Sequence, residues 1–483
     1  MLDVISHVMR RRRPVLALAA LSSISVAGCA QFSPDGGMAF VASAVQQETG
    51  KSIAPVRTQD EAYSARETVD KLLKRELSAE SAVQIALLNN RGLQARFNEL
   101  ALAEARRIGD SLPPNPGLSL SRMSGAFEIE IERRIVAEVI GLATLPFRSE
   151  LAAARFREAQ LQTVLATLGT AVETRRTYYR AVASRELVRF LQQAQEAAAT
   201  TTKFAARLGE TGAMNKLDQA RELAFYAELS GQLASARQRA LSDREALIRR
   251  LGLWGEDLAL KLPNALPALP RKARSLAHVE VEAIRRRVDL QIGRMELDAL
   301  RKSYGLTQAT RVVSFLDAGY TEKVLKDRAT GERNRERGFE LDLEIPIFDF
   351  GEVKVREAEA IYMAGVNRLL ERAVNARSEA RDAYRVYRSS YDIANHYTRE
   401  VLPLRKIITD ESQLRYNGML IDVFTLLNEA RQRIVATTEA INARREFWLA
   451  ATNLDAAITV GGIAPGESGG VQMTAAAAAG AGH

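Results

Sequence analysis

The sequence predicts a mainly α-helical protein with a small β part, and three observations support this fold class. Apolar residues recur at helical spacing over dozens of residues, far beyond the length of a helix in an ordinary globular domain. Two short stretches, 127–132 and 339–345, instead alternate apolar and acidic residues, as two-faced strands do. The whole pattern occurs twice along the 483 residues, which predicts duplicated long-helix hairpins with two strands in each copy.

Residues 1–28 have the composition of a signal peptide that ends in a lipobox. Four arginines, Arg10 to Arg13, precede an apolar run from Pro14 to Ala27 that is too short to span a bilayer. The sequence Val26-Ala27-Gly28-Cys29 follows bacterial lipobox spacing, which predicts lipidation at Cys29 after cleavage. Cys29 is the single cysteine of the chain, so it has no partner for an internal disulfide. The alternative is a plain signal peptide with an incidental cysteine.

The first repeat, residues 78–252, follows a leader at 29–77 that we expect to be extended or irregular. Ser78 has the side chain of a helix N-cap, and Glu80 lies in the first turn of the expected helix. Gly212 separates the two helices that close the repeat. The elements expected in this repeat are a helix to about Arg107, strands at 118–121 and 127–132, a less regular passage at 133–144, a long helix at 149–207 and a helix at 215–251.

The second repeat, residues 275–460, follows a connector at 253–274. Leu93-Gln94 recurs as Leu290-Gln291 at an offset of 197, and the proline between strand and helix recurs as Pro146 and Pro346. We expect Pro403 to bend or interrupt the long helix of this copy. The elements expected here are strands at 311–321 and 339–345 around a polar loop at 327–337, a long helix from Val353 to Gly418 and a helix at 422–458. The Gly/Ala-rich tail at 461–483 is expected to be disordered.

The alternating strands assign two faces to the predicted sheet. Apolar residues at 339, 341, 343 and 345 would face lipid. The carboxylates expected to face a lumen are Glu128, Glu130, Glu132, Glu340, Asp342 and Glu344. Four strands cannot close a barrel in a membrane, so the chain must oligomerise if these strands lie there. A dimer would give an interior filled by side chains, whereas a trimer would leave a lumen, which the acidic face favours. Either a negative, cation-favouring pore or a polar interior neutralised by Lys and Arg fits this pattern.

Five motifs in order along both repeats resemble those of the TolC-like outer-membrane efflux protein family. Val288 stands where the family usually has proline in the third motif. The matching segments are Ala82–Asn90, Leu112–Pro116, Ala283–Leu290, Ile345–Gly351, and Tyr416–Gly418 with Asp422–Val423. The resemblance covers about residues 77–461.

The resemblance implies a homotrimer in which four β-strands per protomer contribute to a shared β-barrel in the outer membrane of a Gram-negative bacterium. The duplicated long-helix hairpins would form an α-barrel tunnel across the periplasm. A periplasmic adaptor and an inner-membrane pump would be the partners, and drugs or metal ions the exported solutes. Residue 30 is Ala rather than Asp, which favours outer-membrane sorting of a lipid-anchored form.

The family also implies a narrow aperture just beyond the glycine at 418. Asp422 matches the position of an acidic constriction residue, and Thr425 stands where some relatives carry a second acid. Asn215 and Asp218 occupy the comparable turn of the first repeat. We therefore expect one ring of Asp422 carboxylates, which would repel one another and attract cations. The alternative role for Asp422 is stabilisation of the helix dipole.

Two other functions remain open at this stage. The same scaffold serves as the outer-membrane duct of type I protein secretion, although the lipobox favours efflux. A periplasmic coiled-coil lipoprotein without a pore is the third possibility, and the alternating strands argue against it. Nucleic-acid binding has little support, because no basic cluster is interleaved with aromatic residues. His278 and His396 lack metal-ligand partners at useful spacing, so we expect no cofactor and no catalysis.

Overall fold

The structure, a computed structural model, describes residues 32–212, 214–313 and 315–461. The signal segment, Cys29 and the tail beyond 461 lie outside these ranges. The chain divides into two compact units that are described separately. The sheet-bearing unit comprises the described residues of Met1–Ala44, Ala95–Val164 and Gln291–Arg372. The helical unit comprises the described residues of Val45–Gln94, Leu165–Leu290 and Ala373–His483.

The leader is helical, which corrects the expectation of an irregular segment. It contains α1 (Met38–Thr49) and α2 (Gln59–Leu73). Thr58 and Glu61 form a reciprocal capping box at the start of α2. Val69 is the one residue of α2 that is fully buried. Leu72 and Leu73 pack against the same core cluster as Val69, so the apolar contacts of α2 lie in its last turns, and its first turns are polar.

The first helix of the repeat begins where the sequence predicts but ends earlier. Ser78 caps α3 (Ala79–Asn89), and a second helix, α4 (Arg91–Ser111), follows at once. Asn90 has the extended backbone that separates them, and its carboxamide accepts a hydrogen bond from the Leu93 N–H at 3.0 Å. Local hydrogen bonding by asparagine competes with the helix, so one expected helix becomes two.

The four strands form a single antiparallel sheet in chain order. They are β1 (Gly117–Ser124), β2 (Glu128–Glu138), β3 (Phe315–Asp327) and β4 (Arg333–Glu344). The less regular passage expected at 133–144 is wrong, because β2 continues to Glu138 and a short helix, α5 (Val139–Ala143), follows. The polar loop expected at 327–337 is also shorter than predicted. It spans residues 328–332, because charged residues extend β3 and β4.

Long helices make up most of the remaining chain. Those of the first repeat are α6 (Leu145–Glu210) and α7 (Lys216–Leu251). Those of the second are α8 (Val279–Arg286), α9 (Val288–Ala309), α10 (Glu352–His396), α11 (Leu402–Asn417) and α12 (Val423–Thr459). A π-helical turn at Tyr397–Val401 joins α10 to α11. It immediately precedes Pro403, whose ring removes a hydrogen bond from the preceding turn, so the expected interruption is confirmed.

The helical unit is packed through leucine, isoleucine and valine side chains together with alanines and a few aromatic rings. One cluster surrounds Val182 with Leu247 and Leu251, and another surrounds Tyr387 with Phe447. Alanines occupy many of the contact positions, which lets neighbouring helices approach closely. Among the described helices, none is both long and apolar enough to cross a membrane.

Candidate functional site

The register of the sheet places both predicted acidic triads on one face. Glu130 lies opposite Leu325, Leu325 lies opposite Asn334, and side chains two residues along a strand share a face. By this register, Glu128, Glu130 and Glu132 share a face with Glu340, Asp342 and Glu344. The two triads lie at opposite ends of that face, because Glu132 aligns with Lys323 whereas Glu340 aligns with Gly319. We call this surface the acidic face.

Two basic side chains neutralise the acidic face in part. Lys323 lies 3.3 Å from Glu130 and 3.9 Å from Glu132. Arg134 lies 2.9 Å from Glu340 and 3.3 Å from Asp342 at the other end. The register adds further carboxylates to this face, namely Glu138, Asp317, Asp327 and Glu336. The face therefore keeps a negative excess, although each expected triad has one basic partner that sequence alternation did not identify.

Three carboxylates form one row across the acidic face. Asp317 lies directly opposite Glu138 on β2 and opposite Asp342 on β4. Like charges in this position repel one another across strands. One oxygen of Asp317 is buried and has no hydrogen-bond donor within the described residues. Among the described residues, no group of three or more histidine, cysteine, aspartate or glutamate side chains could hold a metal ion.

The opposite face of the sheet is apolar near the helices. Leu118, Ile135, Tyr320 and Phe339 occupy one row across the four strands. The Tyr320 and Phe339 rings have centroids 5.5 Å apart, and 91% of Phe339 is exposed. Leu341 and Leu343 continue this surface and are also exposed. An exposed apolar sheet face requires a covering that the described residues of the chain do not supply.

Each of the two edge strands of the sheet has one unpaired side. β1 and β4 each have a partner on one side, so their outer backbone groups have no strand to bond within the described chain. A free edge of this length is a template for pairing with another strand. In a bilayer such an edge would leave backbone groups unsatisfied, so edge pairing between copies becomes obligatory there.

A tight turn joins β4 to α10. Phe350 and Gly351 both have left-handed backbones, with φ of 47° and 73°. The Asp349 carboxylate accepts hydrogen bonds from the N–H groups of Gly351 and Val353. A Cβ on Gly351 would lie 2.3 Å from the carbonyl oxygen of Arg311, so only glycine fits this position. The expected equivalence of Pro146 and Pro346 is inexact, because the former lies inside the first turn of α6.

The turn between α6 and α7 contains the first pair of predicted aperture residues. Asn215 caps α7, accepting a 2.9 Å hydrogen bond from the Asp218 N–H. Asp218 is 8% exposed and lies 3.1 Å from Arg221. Its carboxylate is therefore engaged within the protomer, and of the two predicted aperture residues in this turn only neutral Asn215 is exposed.

The turn between α11 and α12 repeats the same cap with a charged residue. Asp422 caps α12, and its exposed carboxylate accepts a 2.7 Å hydrogen bond from the Thr425 N–H. This backbone donor holds the pKa of Asp422 below the usual aspartate value. Gly418 does not supply the left-handed residue of this turn, since its φ is −83° and that of Met419 is 58°. Met419 is 93% exposed.

An ion pair close behind these turns was not apparent from sequence. Arg431 of α12 donates a 2.6 Å hydrogen bond to Glu222 of α7, and its guanidinium stacks 4.5 Å from the Phe225 ring centroid. Glu222 is 3% exposed. Burial raises the pKa of Glu222, and the adjacent guanidinium opposes that rise. In the sequence, Glu222 lies seven residues after the Asn215 cap, which indicates a position near the turn. The sequence does not identify Arg431 as the partner of Glu222.

Solved structures provide the comparison that classifies this arrangement. No protein-family model and no curated protein matches the sequence. CusC, described for transmembrane channel formation, has a TM-score of 0.64 at 16% identity, covering 80% of this chain and 92% of its own. The CmeC outer membrane channel of Campylobacter jejuni has a TM-score of 0.66 at 15% identity, covering 85% of this chain and 89% of its own.

A third channel agrees with these two. The open-state MtrE outer membrane channel of Neisseria gonorrhoeae has a TM-score of 0.64 at 16% identity, covering 79% of this chain and 89% of its own. The chain has the TolC-like fold. The sequence motifs at 345–351 and 416–423 coincide with the turn between β4 and α10 and with the turn between α11 and α12.

Proposed function

We propose that the protein is an outer-membrane channel, the exit duct of a tripartite efflux pump that exports small toxic solutes such as drugs or metal ions. The observation that carries this proposal is the register of the sheet, which separates an acidic face from an exposed apolar face. A sheet with one lipid-compatible face and one charged face is the sheet of a water-filled barrel. The TolC-like fold and the similarity to CusC, CmeC and MtrE support the same function.

The free edges support a closed oligomer. β1 of one copy would pair with β4 of the next, which removes both edges from lipid. Three copies would contribute about twelve strands, enough to leave a lumen, whereas two would give about eight and a filled interior. A lumen lined by the acidic face would favour cations. We therefore propose a homotrimer with Glu128, Glu130, Glu132, Glu340, Asp342 and Glu344 facing the lumen.

The two turns supply the proposed aperture. Three copies would present a ring of Asp422 carboxylates, next to neutral Thr425 and Asn215, while Asp218 stays paired with Arg221. The exposed apolar side chains of Met419 and Leu420 lie in the same turn as Asp422. They give a periplasmic adaptor protein an apolar surface to contact, and an inner-membrane pump would complete the assembly. Lipidation at Cys29 would anchor each copy to the membrane.

Type I protein secretion is the alternative use of this channel. Deletion of the gene separates the two functions: sensitivity to drugs and metal ions with an unchanged set of secreted proteins supports efflux. Loss of a secreted protein without sensitisation overturns efflux in favour of secretion. The two-faced sheet argues against a coiled-coil lipoprotein without a pore. A purified monomer without channel activity would favour that function over a channel.

The oligomeric state has its own test. Full-length protein extracted from membranes in detergent is weighed by mass photometry and by multi-angle scattering. The proposal predicts three copies of the mature chain, and a stable dimer or monomer contradicts it. Matched variants with Pro at an outward N–H of β1 or β4 should weaken the trimer, because proline removes an edge donor.

A further inference from the structure

The apolar face of the sheet changes character toward the hairpin loops. Beyond the row of Leu118, Ile135, Tyr320 and Phe339, the next rows on the same face are strongly basic. The register places six basic residues there, Arg122, Arg133, Lys326, Arg333, Arg335 and Arg337, together with acidic Glu322 and the apolar residues Leu120, Ile129, Ile131 and Val324. We call this surface the basic belt. Successive rows lie about 7 Å apart along the strands, so the belt begins directly where the apolar rows end.

Glu322 holds part of the belt together. Its carboxylate lies 3.4 Å from Arg133, 3.5 Å from Arg335 and 3.3 Å from Arg337. Glu322 is largely buried, whereas the three arginines are each more than half exposed. One carboxylate therefore serves three guanidinium groups, and each arginine keeps donors directed away from it.

The remaining positions of the belt are not neutralised. Lys326 and Arg333 are direct partners across β3 and β4, an arrangement in which like charges repel. Neither forms an ion pair with a carboxylate within the described chain. A sheet that places this uncompensated charge beside an apolar surface is complementary to an anion held at the edge of an apolar phase.

We propose that the basic belt binds the phosphorylated headgroup of a glycolipid in the outer leaflet, an inference that rests on the proposed function. With the apolar rows in lipid and the helices on the periplasmic side, the hairpin loops face outward, so the belt lies at the headgroups of the outer leaflet. Arginine recognises phosphate through two parallel hydrogen bonds, and the belt offers several guanidinium groups within one surface. The lipid's acyl chains would cover Leu118, Ile135 and Phe339 below it.

The proposal commits to a lipid rather than to free phosphate. The apolar rows contribute to binding only if the ligand carries acyl chains beside its phosphate, since burial of apolar surface is the additional favourable term. Inorganic phosphate should therefore compete weakly. A lipid without phosphate should bind weakly as well, because the belt would remain uncompensated.

The test uses the full-length protein in detergent and fluorescent lipopolysaccharide, measured against enzymatically dephosphorylated lipopolysaccharide. The variant is Arg333→Gln with Arg335→Gln, which leaves Arg133 and Arg337 to hold Glu322. The matched control is Arg301→Gln with Arg356→Gln, two exposed helical arginines that pair with neighbours on their own helices. At about 1 kcal/mol per basic residue near an anionic lipid surface, the variant should bind about 30-fold more weakly than the control.

Each outcome decides the question. Phosphate-dependent binding that the belt variant loses supports the site. Equal binding of the two lipid forms by unaltered protein, unchanged binding by the belt variant, or displacement by millimolar inorganic phosphate overturns it. The comparison of lipid forms needs no variant, so a folding defect cannot obscure the result. Conductance of the unaltered protein is measured in parallel: conduction with phosphate-independent binding overturns the lipid site alone, and phosphate-dependent binding without conduction overturns the channel alone.

Discussion

The carboxylate of Glu222 and the guanidinium of Arg431 are joined by a hydrogen bond of 2.6 Å, which links the two helices that begin at the proposed aperture turns. A largely buried ion pair loses much more when one partner is removed than an exposed pair does. The link therefore stabilises the position of α12 against α7 immediately behind Asn215 and Asp422.

The first prediction concerns this pair. Glu222→Gln keeps an acceptor oxygen but removes the charge, so we expect amides in the first turns of α7 and α12 to exchange about tenfold faster. Hydrogen exchange with mass spectrometry measures this. Glu411→Gln, which removes an exposed partner of Arg415, is the control and should leave exchange unchanged. Equal effects of the two substitutions would contradict a special role for Glu222.

The second prediction separates the charge of Asp422 from its cap. Asp422→Asn keeps a good N-cap and removes the negative charge, whereas Asp422→Ala removes both and costs the helix about 1 kcal/mol. We expect both variants to raise the conductance of the closed channel, because the ring of like charges is lost. Only Asp422→Ala should lower the stability of α12. Unchanged conductance in both variants would count against an aperture at this residue.

The third prediction concerns pH at the same carboxylate. The pKa of Asp422 is lowered by the Thr425 N–H, so its stabilising charge is fully present above the ordinary aspartate pKa of about 4. That contribution is lost as the pH falls through the lowered pKa. The difference in closed-channel conductance between Asp422→Asn and the unaltered protein should thus persist from pH 7 to pH 5. A difference that vanishes by pH 5 would contradict a lowered pKa for Asp422 in the assembled channel.

The fourth prediction concerns the neutralising residue of the acidic face. Arg134→Gln leaves Glu340 and Asp342 without their cation and should increase the cation-to-anion permeability ratio, on the order of twofold. Arg133→Gln, one residue away and on the opposite face, is the matched control and should leave the ratio unchanged. The reversal potential in a salt gradient measures both. A larger effect at Arg133 would indicate that the face opposite the acidic face lines the lumen, which would contradict the proposal.

The fifth prediction concerns stability of the helical unit. Arg287 is buried and donates to both Asp289 and Glu379, at 2.7 Å and 2.6 Å. Arg287→Met would leave two carboxylates without their cation, and we expect a loss of about 2 kcal/mol. Chemical denaturation followed by circular dichroism measures the change. Replacing exposed Arg301 in the same way provides the control, and an equal loss there would contradict the assignment.

Much of this arrangement follows from the sequence because a few residues set it locally. Ser78, Asn215 and Asp422 each cap the helix that the pattern predicts. Apolar alternation defines β2 and β4 where one face is acidic. The pattern fails where charged residues extend a strand, as at Arg133 and Arg335, because a strand that is polar on both faces has the composition of a loop. Hydrophobic periodicity is also lacking in the first turns of α2, which begin at a capping box.

The pairings could not be predicted, because they depend on contacts distant in sequence. Asp218 lies where an aperture carboxylate is expected. It is buried and paired with Arg221, so its charge is not presented at the aperture. Only the pairing of β2 with β3 brings Arg134 and Lys323 onto the acidic face. The basic belt likewise emerges only when Arg133 and Arg335 are placed around Glu322.

We propose that the acidic face of the sheet lines a water-filled pore shared by several copies. The reversal potential of the purified full-length protein in planar bilayers, across a tenfold KCl gradient, tests this directly. We expect discrete channel steps with cation preference, which decreases when Glu130, Glu132, Glu340 and Asp342 are replaced by Gln. Anion preference, or no channel steps from a correctly assembled trimer, would contradict it.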